Sequence, residues 1–378
     1  MQIVPLMAMS FAAFVYVTYE MFAIGLISPM AVDLGVTEGQ IGLLMTVYAG
    51  LVAVVTIPLM HYTRRMDRRP LFIATLAFLL TGIVLQAIAT SYPMLVVGRV
   101  TAAFTHGLFW SLVNPMAARL APAGQMGKAV AAVSFGSTMS TVLGAPLTTA
   151  VGHAIGWRNA TWLLGVGAIV AFLLLLKTLP SMPAKPPVKT TNVQKTKSAL
   201  PSLVFYLTFS VTALFATFTY LALLLQDTAG ERWVAPGLAL YGVVGIIFVV
   251  VAGRRVDARM IRLNGLDALF LMTSAFTGLL ALQQQSGVLM FVAVALLGMS
   301  SGTLPTAATT IFMHAGKGNQ DMASSIYVVT FQVGIAAGSA LGAASVDAGY
   351  LSGTLLITLI LGAAALVTLV GFSRPRLR

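Results

Sequence analysis

One acidic side chain lies inside an otherwise apolar stretch near the start of the chain. Glu20 stands among Tyr19, Met21 and Phe22, midway along a run that is apolar from 6 to 30. A carboxylate in such surroundings is costly to keep ionised, and ionisable groups within apolar spans are rare and usually functional. Glu20 could therefore trade a proton for a substrate, or it could be a neutral packing residue that a neighbouring helix satisfies.

Three further side chains are candidates among the charged or titratable residues in or beside the apolar runs. Asp33 ends the first run and could take part in coupling or gating, or act as a solvated helix cap. Arg99 carries a permanent charge and could reach the membrane surface or pair with an acid or a backbone carbonyl. His106 is seven residues further on, on the same helix face; imidazole titrates near neutral pH, so it could shuttle protons, bind substrate or be a buried neutral side chain. The proton-coupling candidates are Glu20, Asp33, Arg99 and His106.

Polar and aromatic residues in the apolar runs could line a cavity. Trp110 and Asn114 continue the face of His106, four and eight residues beyond it. Aromatic rings with a polar tip, together with amides, suit a ligand that has both polar and apolar parts. Each residue taken singly is more often a packing residue than a ligand. The predicted substrate-binding residues are Glu20, His106, Trp110, Asn114, Tyr220, Tyr241, Tyr327 and Gln332.

The elements that position these residues are predicted to be transmembrane helices of an all-α integral membrane protein. Of the 378 residues, 58% are hydrophobic and 8% are charged, whereas soluble domains carry about 25% charged residues. A soluble chain of this size could not bury so much apolar surface. A span needs about 20 mostly apolar residues, and a helix satisfies its own backbone in lipid. Twelve runs qualify: 6–30, 41–63, 71–90, 94–118, 127–152, 159–178, 201–226, 235–253, 265–284, 287–312, 322–347 and 350–372.

A polar linker divides these spans into six plus six. Residues 179–200 are rich in Pro, Lys and Thr and have no apolar face, which is typical of a flexible connector. We therefore predict an N-terminal six-helix bundle at 1–178, a cytoplasmic linker at 179–200 and a C-terminal six-helix bundle at 201–378. The small-residue stretches at 136–147 and 334–345 correspond between the halves and allow close helix packing.

The basic residues predict the orientation. With both termini in the cytoplasm, nearly all of the 22 Lys and Arg residues fall in cytoplasmic segments, as the positive-inside rule requires. Arg158 and Arg232 fall outside, and Arg99 lies near the outer end of its span. The net charge of +12 therefore indicates topology and contact with lipids, and it does not indicate a nucleic-acid partner.

Each half contains a short basic loop with one Asp, MHYTRRMDRRPLF at 60–72 and GRRVDARMIRL at 253–263. In the second loop, GRRVDAR at 253–259 is similar to the second-half copy of the loop signature of the major facilitator superfamily. The first-half copy departs from it, because Arg64 stands where Asp is usual and Asp67 where Gly is usual. The loops could anchor the topology and touch anionic lipid, whereas the resemblance implies a gate. The implied gating residues are Arg65, Asp67, Arg68, Arg69, Gly253, Asp257 and Arg259.

Two helix motifs resemble the drug:proton antiporter branch of the same superfamily. GRVTAAFTHGLFW at 98–110 is similar to the fourth-helix signature, with Arg99 as its membrane arginine, and a first-helix acid such as Glu20 is typical of the branch. GSTMSTVLGAP at 136–146 is similar to the fifth-helix antiporter motif. Its Gly144 permits close packing and its Pro146 removes a backbone hydrogen bond, so the two are expected to bend that helix.

Within this branch the chain is most similar to bacterial sugar-efflux proteins and their nucleoside- and chloramphenicol-exporting relatives. The segments that carry the likeness are 19–36, 45–60 and 103–124. The resemblance implies a monomer in the bacterial inner membrane that exports small neutral or amphipathic solutes, such as sugars or drugs. It further implies alternating access, the proton as coupling ion and no cofactor.

Two other functions stay open at this stage. The same fold could serve uptake, as a proton symporter or a facilitator. A chain of another class, such as a non-transporting sensor or a lipid-modifying enzyme, would need a catalytic or sensory constellation. The sequence has no cysteine, no phosphate-binding Walker loop, no GxSxG nucleophile motif and only scattered His residues, so an enzyme or a metal site is not predicted.

Overall fold

In a computed structural model the chain is built from helices. The structure describes residues 2–120, 126–183, 199–315 and 320–373, and no strand occurs among them. Within these ranges, 11 helices are long and apolar enough to cross a membrane. The predicted span at 127–152 is the additional one, and it consists of two shorter helices joined by a π-helical turn. The prediction of an all-α membrane protein with twelve spans is confirmed.

The first half of the chain contains eight helical segments. Four of the six predicted spans are single helices, of which the fourth extends beyond its predicted end, whereas the first and fifth spans are each broken in two. The segments are α1 (Ile3–Met21), α2 (Ile27–Leu34), α3 (Glu38–Thr63), α4 (Arg68–Ala87), α5 (Tyr92–Leu120), α6 (Met126–Met139), α7 (Ala145–Ile155) and α8 (Trp157–Thr178).

The second half follows the same plan, with a first span that is again broken. Its ninth predicted span, 265–284, begins earlier than expected, because the helix continues into the basic loop that precedes it. The segments are α9 (Leu200–Phe218), α10 (Leu221–Ala229), α11 (Val234–Gly253), α12 (Val256–Gln284), α13 (Gly287–Ala315), α14 (Gln320–Asp347) and α15 (Ser352–Val367), followed by a π-helical turn at Thr368–Ser373.

Contacts between Cα atoms group the chain into two compact units. One unit comprises Met1–Val36 and Val47–Pro187, and the other comprises Thr37–Thr46 and Val188–Arg378. The change from one unit to the other near residue 187 falls within the polar segment 179–200. The exact bounds of the predicted bundles stay a prediction.

Each unit contains the same hydroxyl pair between its broken first helix and a later small-residue helix. In the first unit Thr18 Oγ1 lies 2.8 Å from Ser140 Oγ. In the second unit Thr219 Oγ1 lies 2.8 Å from Ser339 Oγ. All four residues are buried, so each pair satisfies polar groups that lipid could not. The pairs occur at equivalent places in the two units, as expected for an internal repeat.

Small residues make these close approaches possible. A Cβ added to Gly136 would collide with the backbone carbonyl oxygen of Ser10 on α1. A Cβ added to Gly338 would collide with the backbone carbonyl of Thr212 on α9. Helices in lipid associate through such tight backbone packing. The Gly- and Ala-rich stretches therefore hold α1, which carries Glu20, and α9, which ends shortly before Tyr220.

Candidate transport site

Glu20 lies at the C-terminal end of α1, where the first span breaks. Its side chain is buried, with the whole residue 6% exposed. A 3₁₀ turn, Ile24–Leu26, separates α1 from α2. The last four carbonyls of an α-helix have no partner within the helix, so the break leaves acceptors in the interior of the unit beside Glu20.

Arg99 on α5 satisfies these carbonyls. Its Nη1 donates to the carbonyl oxygens of Tyr19 at 2.6 Å and Glu20 at 3.3 Å, and its guanidinium carbon lies 4.8 Å from the centre of the Tyr19 ring. Arg99 is 1% exposed, so it does not reach the membrane surface. A cation at the C-terminal end of α1 is favoured by the helix dipole and by the face of the aromatic ring.

His106, two turns further along α5, links Glu20 to a residue that the sequence reasoning had not selected. Its Nε2 lies 3.8 Å from Glu20 Oε2, and its Nδ1 lies 2.8 Å from the hydroxyl of Tyr48 on α3. Neutral imidazole carries its proton on one nitrogen only. If Tyr48 donates to Nδ1, the Nε2–H points towards Glu20; if Nδ1 donates to Tyr48, Nε2 faces Glu20 as an acceptor. The arrangement can therefore follow the protonation of Glu20.

Aromatic rings surround this chain of polar groups. The ring centre of His106 is 5.3 Å from that of Tyr16, 5.2 Å from that of Tyr48 and 6.2 Å from that of Trp110. Low polarity around buried polar groups strengthens the interactions between them. Glu20, Arg99, His106 and Trp110 thus come together in the first unit. The side chain of Asn114 lies outside the residues that the structure describes.

Asp33 belongs to a different cluster, at the end of α2. Its Oδ2 is 2.5 Å from Nη1 of Arg158 and accepts from Nε1 of Trp157 at 3.3 Å. Nη2 of the same arginine donates to the carbonyl of Ala89 at 2.6 Å. Both charged side chains are about a third or more exposed, at 41% and 33%. The GWR segment at 156–158 thereby connects α2, the end of α4 and the start of α8.

Two of the four predicted substrate-binding residues in the second unit pack against aromatic rings. Tyr241 stacks on Phe218, with ring centres 4.4 Å apart and an angle of 18° between the rings. Tyr327 lies 5.8 Å from Phe312 and 5.7 Å from Phe331, measured between ring centres.

Two more predicted contacts of this unit carry polar groups. The Tyr220 hydroxyl donates to the carbonyl of Ser339 at 3.1 Å. Oε1 of Gln332 is buried and has no hydrogen-bond partner among the described residues. An unsatisfied buried amide oxygen is costly, so Gln332 can accept a hydrogen bond from a ligand.

Asp67 organises the basic loop between α3 and α4. Its Oδ1 accepts from the backbone N–H of Arg69 at 2.8 Å, which caps α4, and from that of Met182 at 3.2 Å. Its Oδ2 accepts from Ser181 Oγ at 2.5 Å. The hydrogen bond from Ser181, followed by those from the two backbone groups, lowers the pKa of Asp67. Asp67 therefore fastens the start of the polar linker to the loop.

The other residues of the basic loops differ in their contacts. Arg69 donates from Nη2 to the carbonyl of Leu176 at 2.8 Å, and Arg68 donates to the carbonyls that end α3. Arg65 is exposed. In the second loop Gly253 ends α11, Arg259 has non-helical angles within α12, and the Asp257 side chain lies outside the described part of the chain.

The expected bend of the fifth span occurs as a π-helical turn. The turn comprises Ser140–Gly144, and Pro146 stands in the first turn of α7. A proline lacks the N–H that the helix would use at that point, and a π turn accommodates such an interruption. A Cβ on Gly144 would collide with Oγ1 of Thr18, so this residue also keeps α1 close.

One buried acid was missed by the sequence reasoning. Asp267 on α12 is 0% exposed and accepts a hydrogen bond from Ser300 Oγ at 2.5 Å. It is the third residue of the predicted span 265–284, where it would lie near a membrane surface. The helix in fact starts at Val256, so Asp267 stands well inside it and not at its end. The signal that could have found it is an acid within an apolar run.

Known proteins share this arrangement of helices. A model of the Major Facilitator Superfamily matches residues 9–315. The chain is 34% identical to a chloramphenicol efflux pump of Mycobacterium tuberculosis strain CDC 1551 / Oshkosh over 354 residues, which cover 88% of this chain and 83% of the relative. A chloramphenicol efflux pump of strain H37Rv matches to the same extent.

Solved structures of transporters show the same fold at low sequence identity. A variant of the peptide transporter POT superposes with a TM-score of 0.81 at 14% identity, covering 98% of this chain and 94% of that one. A bacterial homologue of the human lysosomal transporter Spinster, in an inward-facing and unoccupied conformation, superposes with a TM-score of 0.77 at 15% identity, covering 98% and 96%.

The fold and the buried polar site define a multi-pass membrane transporter. The chain belongs to the Major Facilitator Superfamily, and the predicted resemblance is confirmed. It is a transporter and not an enzyme, and transporters of this type need no cofactor.

Proposed function

We propose that this transporter exports small amphipathic solutes in exchange for protons, through a site in the first unit that contains Glu20. The observation that carries the proposal is the buried chain from Tyr48 through His106 to Glu20, with Arg99 beside it. Chloramphenicol is the first substrate to test, because relatives 34% identical are named as chloramphenicol efflux pumps. Sugars and nucleosides are the next classes.

Coupling follows from the chemistry of Glu20. A protonated Glu20 is neutral and suits its buried position, whereas an ionised Glu20 needs a donor or a cation. His106 Nε2 at 3.8 Å and the nearby guanidinium of Arg99 supply both. A substrate hydroxyl or amide N–H would donate to the ionised carboxylate, and protonation of Glu20 weakens that acceptor, so that proton binding and substrate binding oppose each other. That opposition is what an antiporter requires.

Export then follows from the direction of the proton gradient. Protons enter from the outside at a higher concentration and load Glu20 after substrate has left. Alternating access returns the protonated carrier to the cytoplasm, where release of the proton favours substrate binding. This direction assumes a bacterial inner membrane with both termini in the cytoplasm, which the distribution of Lys and Arg supports. The carrier is proposed to act as a monomer.

The test is transport in proteoliposomes driven by an imposed pH gradient. Wild type and the E20Q variant are compared for chloramphenicol, a sugar panel and a nucleoside panel. We expect wild type to accumulate at least one class against its gradient. We expect E20Q to lose the gradient-driven part and to keep exchange of labelled for unlabelled substrate, because an amide cannot carry the proton.

The matched control is D33N, which changes an acid of the same first span outside the Glu20 cluster. D33N should retain gradient-driven transport, since Asp33 pairs with Arg158 at the helix end. Loss of coupling in D33N would instead assign the proton to Asp33. Wild-type transport that ignores the pH gradient would refute the antiport mechanism, and accumulation in the same direction as the protons would indicate an uptake symporter.

A further inference from the structure

A second carboxyl group is buried in the C-terminal half of the chain. Asp267 on α12 is 0% exposed. Its Oδ1 accepts from Ser300 Oγ on α13 at 2.5 Å, whereas its Oδ2 is buried and has no hydrogen-bond partner among the described residues. At eight residues from Arg259, it lies about 12 Å along the helix from the basic end of α12, at a rise of roughly 1.5 Å per residue.

No cation in the described part of the chain forms an ion pair with Asp267. The helices packed against α12 are α9, α10, α11, α13 and α15, with the turn Thr368–Ser373. The sequences of α15 and of that turn contain no titratable side chain. The charged or titratable residues on α12 and on the other helices are Asp257, Arg259, Arg262, Tyr206, Asp227, Tyr241 and His314. Of these, Arg262 and Asp227 are exposed.

Neither form of the carboxyl group is fully satisfied at this place. The ionised form has one hydroxyl donor and no cation, which is a costly state for a buried charge. The protonated form leaves Oδ2 unpaired as well, either as an O–H without an acceptor or, if Oδ1 carries the proton and donates to Ser300 Oγ, as a carbonyl oxygen without a donor, which is a smaller but real cost. Buried polar groups with a purely structural role normally have all their partners. Asp267 is instead suited to gain and lose a proton as its surroundings change.

Polar groups continue from Asp267 along one face of α12. Asn264 precedes it by three residues and so lies on the same face. Its amide donates to the carbonyl of Ala307 on α13 at 3.1 Å, and its Oδ1 accepts from the hydroxyl of Tyr206 on α9 at 2.9 Å. Ser300, Asp267, Asn264 and Tyr206 thus form a buried polar column, which we call the α12 column, through three helices of the second unit.

We propose that Asp267 is a second proton-binding carboxyl group of this transporter, on the α12 column, and that its protonation changes during the transport cycle. The proton is bound by the carboxyl group of Asp267 and is later released to water, with no other bond formed or broken. The inference rests on the proposed function for its link to transport. The protonation change of Asp267 itself can be measured without any substrate.

The first test is infrared difference spectroscopy of the purified protein in lipid, titrated from acid to alkaline pH. The carboxylic-acid C=O band of a buried, protonated side chain disappears when that side chain ionises. We expect a titrating band in wild type that is lost in D267N and retained in E20Q. S300A keeps the carboxyl group but removes its donor, so we expect it to shift the pH at which this band disappears.

Matched controls separate this result from misfolding. D227N changes an exposed acid on the neighbouring α10 and should leave the band unaltered. D267N replaces the carboxyl group with an amide of the same shape, and its folding is checked by size-exclusion elution and thermal unfolding. A wild-type band that persists at alkaline pH would overturn the proposal, because Asp267 would then be permanently neutral. Unchanged spectra in D267N would overturn it equally.

The second test uses the same variants in proteoliposomes with chloramphenicol. We expect D267N to exchange fewer protons per substrate than wild type, by one proton, while still transporting. If E20Q keeps full coupling and D267N loses a proton, the role proposed for Glu20 is wrong and that of Asp267 stands. If E20Q loses coupling and D267N exchanges as many protons as wild type, the reverse holds.

Discussion

Tyr48→Phe should uncouple the transporter although it removes only one hydroxyl group. That hydroxyl lies 2.8 Å from Nδ1 of His106. Its hydrogen bond determines whether the imidazole carries its proton on Nε2, facing Glu20, or on Nδ1. The ring remains, so the packing of the buried site is retained. The variant therefore isolates the hydrogen bond from the volume of the side chain.

The size of the effect follows from the burial of the imidazole. A buried polar atom that loses its partner costs about 1–3 kcal/mol. If that cost falls on the state in which the Nε2–H of His106 faces ionised Glu20, the gradient-driven rate should fall by about 5- to 150-fold, since each 1.4 kcal/mol is a factor of ten. Exchange of labelled for unlabelled substrate needs no change in protonation and should stay within about twofold.

The assay compares the two rates in proteoliposomes for Y48F and for Y19F. Tyr19 is a matched control, because it is also buried in this cluster and its hydroxyl has no hydrogen-bond partner among the described residues. Y19F should therefore keep both rates near the wild-type values. Equal loss of gradient-driven transport in Y48F and Y19F, or loss of exchange together with coupling in Y48F, would refute the proton chain.

Two further predictions concern stability. Gly302→Ala should lower the free energy of unfolding by about 1–3 kcal/mol or more, because the added Cβ would collide with the backbone carbonyl of Gly245 on α11. The control Gly50→Ala, with nothing within 4 Å of its Cβ, should change the free energy of unfolding by less than about 1 kcal/mol. Equal thermal shifts in the two variants would contradict the packing argument. Hydrogen bonds from Ser181 and the backbone lower the pKa of Asp67 in the folded state, so ionised Asp67 stabilises the fold. This stabilisation is complete above the unfolded pKa of about 4, and it is lost as the pH falls through the lower folded pKa. D67N should therefore flatten the acid limb of a thermal-stability profile, and an acid limb identical to that of wild type would show that the loop contributes nothing.

The sequence by itself determined the class of fold. Apolar runs of about 20 residues can satisfy their backbone in lipid only as helices or closed barrels, so their length and number predicted the architecture. Local signals also located one interruption, since Gly144 and Pro146 stand where the fifth span contains a π-helical turn; the breaks in the first span of each half were not predicted. Glu20 could be singled out in the same way, because an acid in the middle of an apolar run is unusual whatever it contacts.

Only the tertiary structure decided which residues meet. Arg99 could have gone to the surface or to a partner, and the break after α1 supplied the carbonyls that it binds. Tyr48 was one of several tyrosines in apolar runs until α3 brought it to His106. Asp33 paired with Arg158 because GWR starts a helix beside the end of α2.

Asp267 shows the physical reason most clearly. Hydropathy reports the average polarity of a window, and it placed the start of the ninth span at 265, although the helix begins at Val256. The depth and partners of the carboxyl group then depended on how α12 packs against α13, which supplies the Ser300 hydroxyl. The membrane insertion of a segment is largely a property of its local sequence, whereas the burial and pairing of its polar groups inside the protein are properties of helix packing.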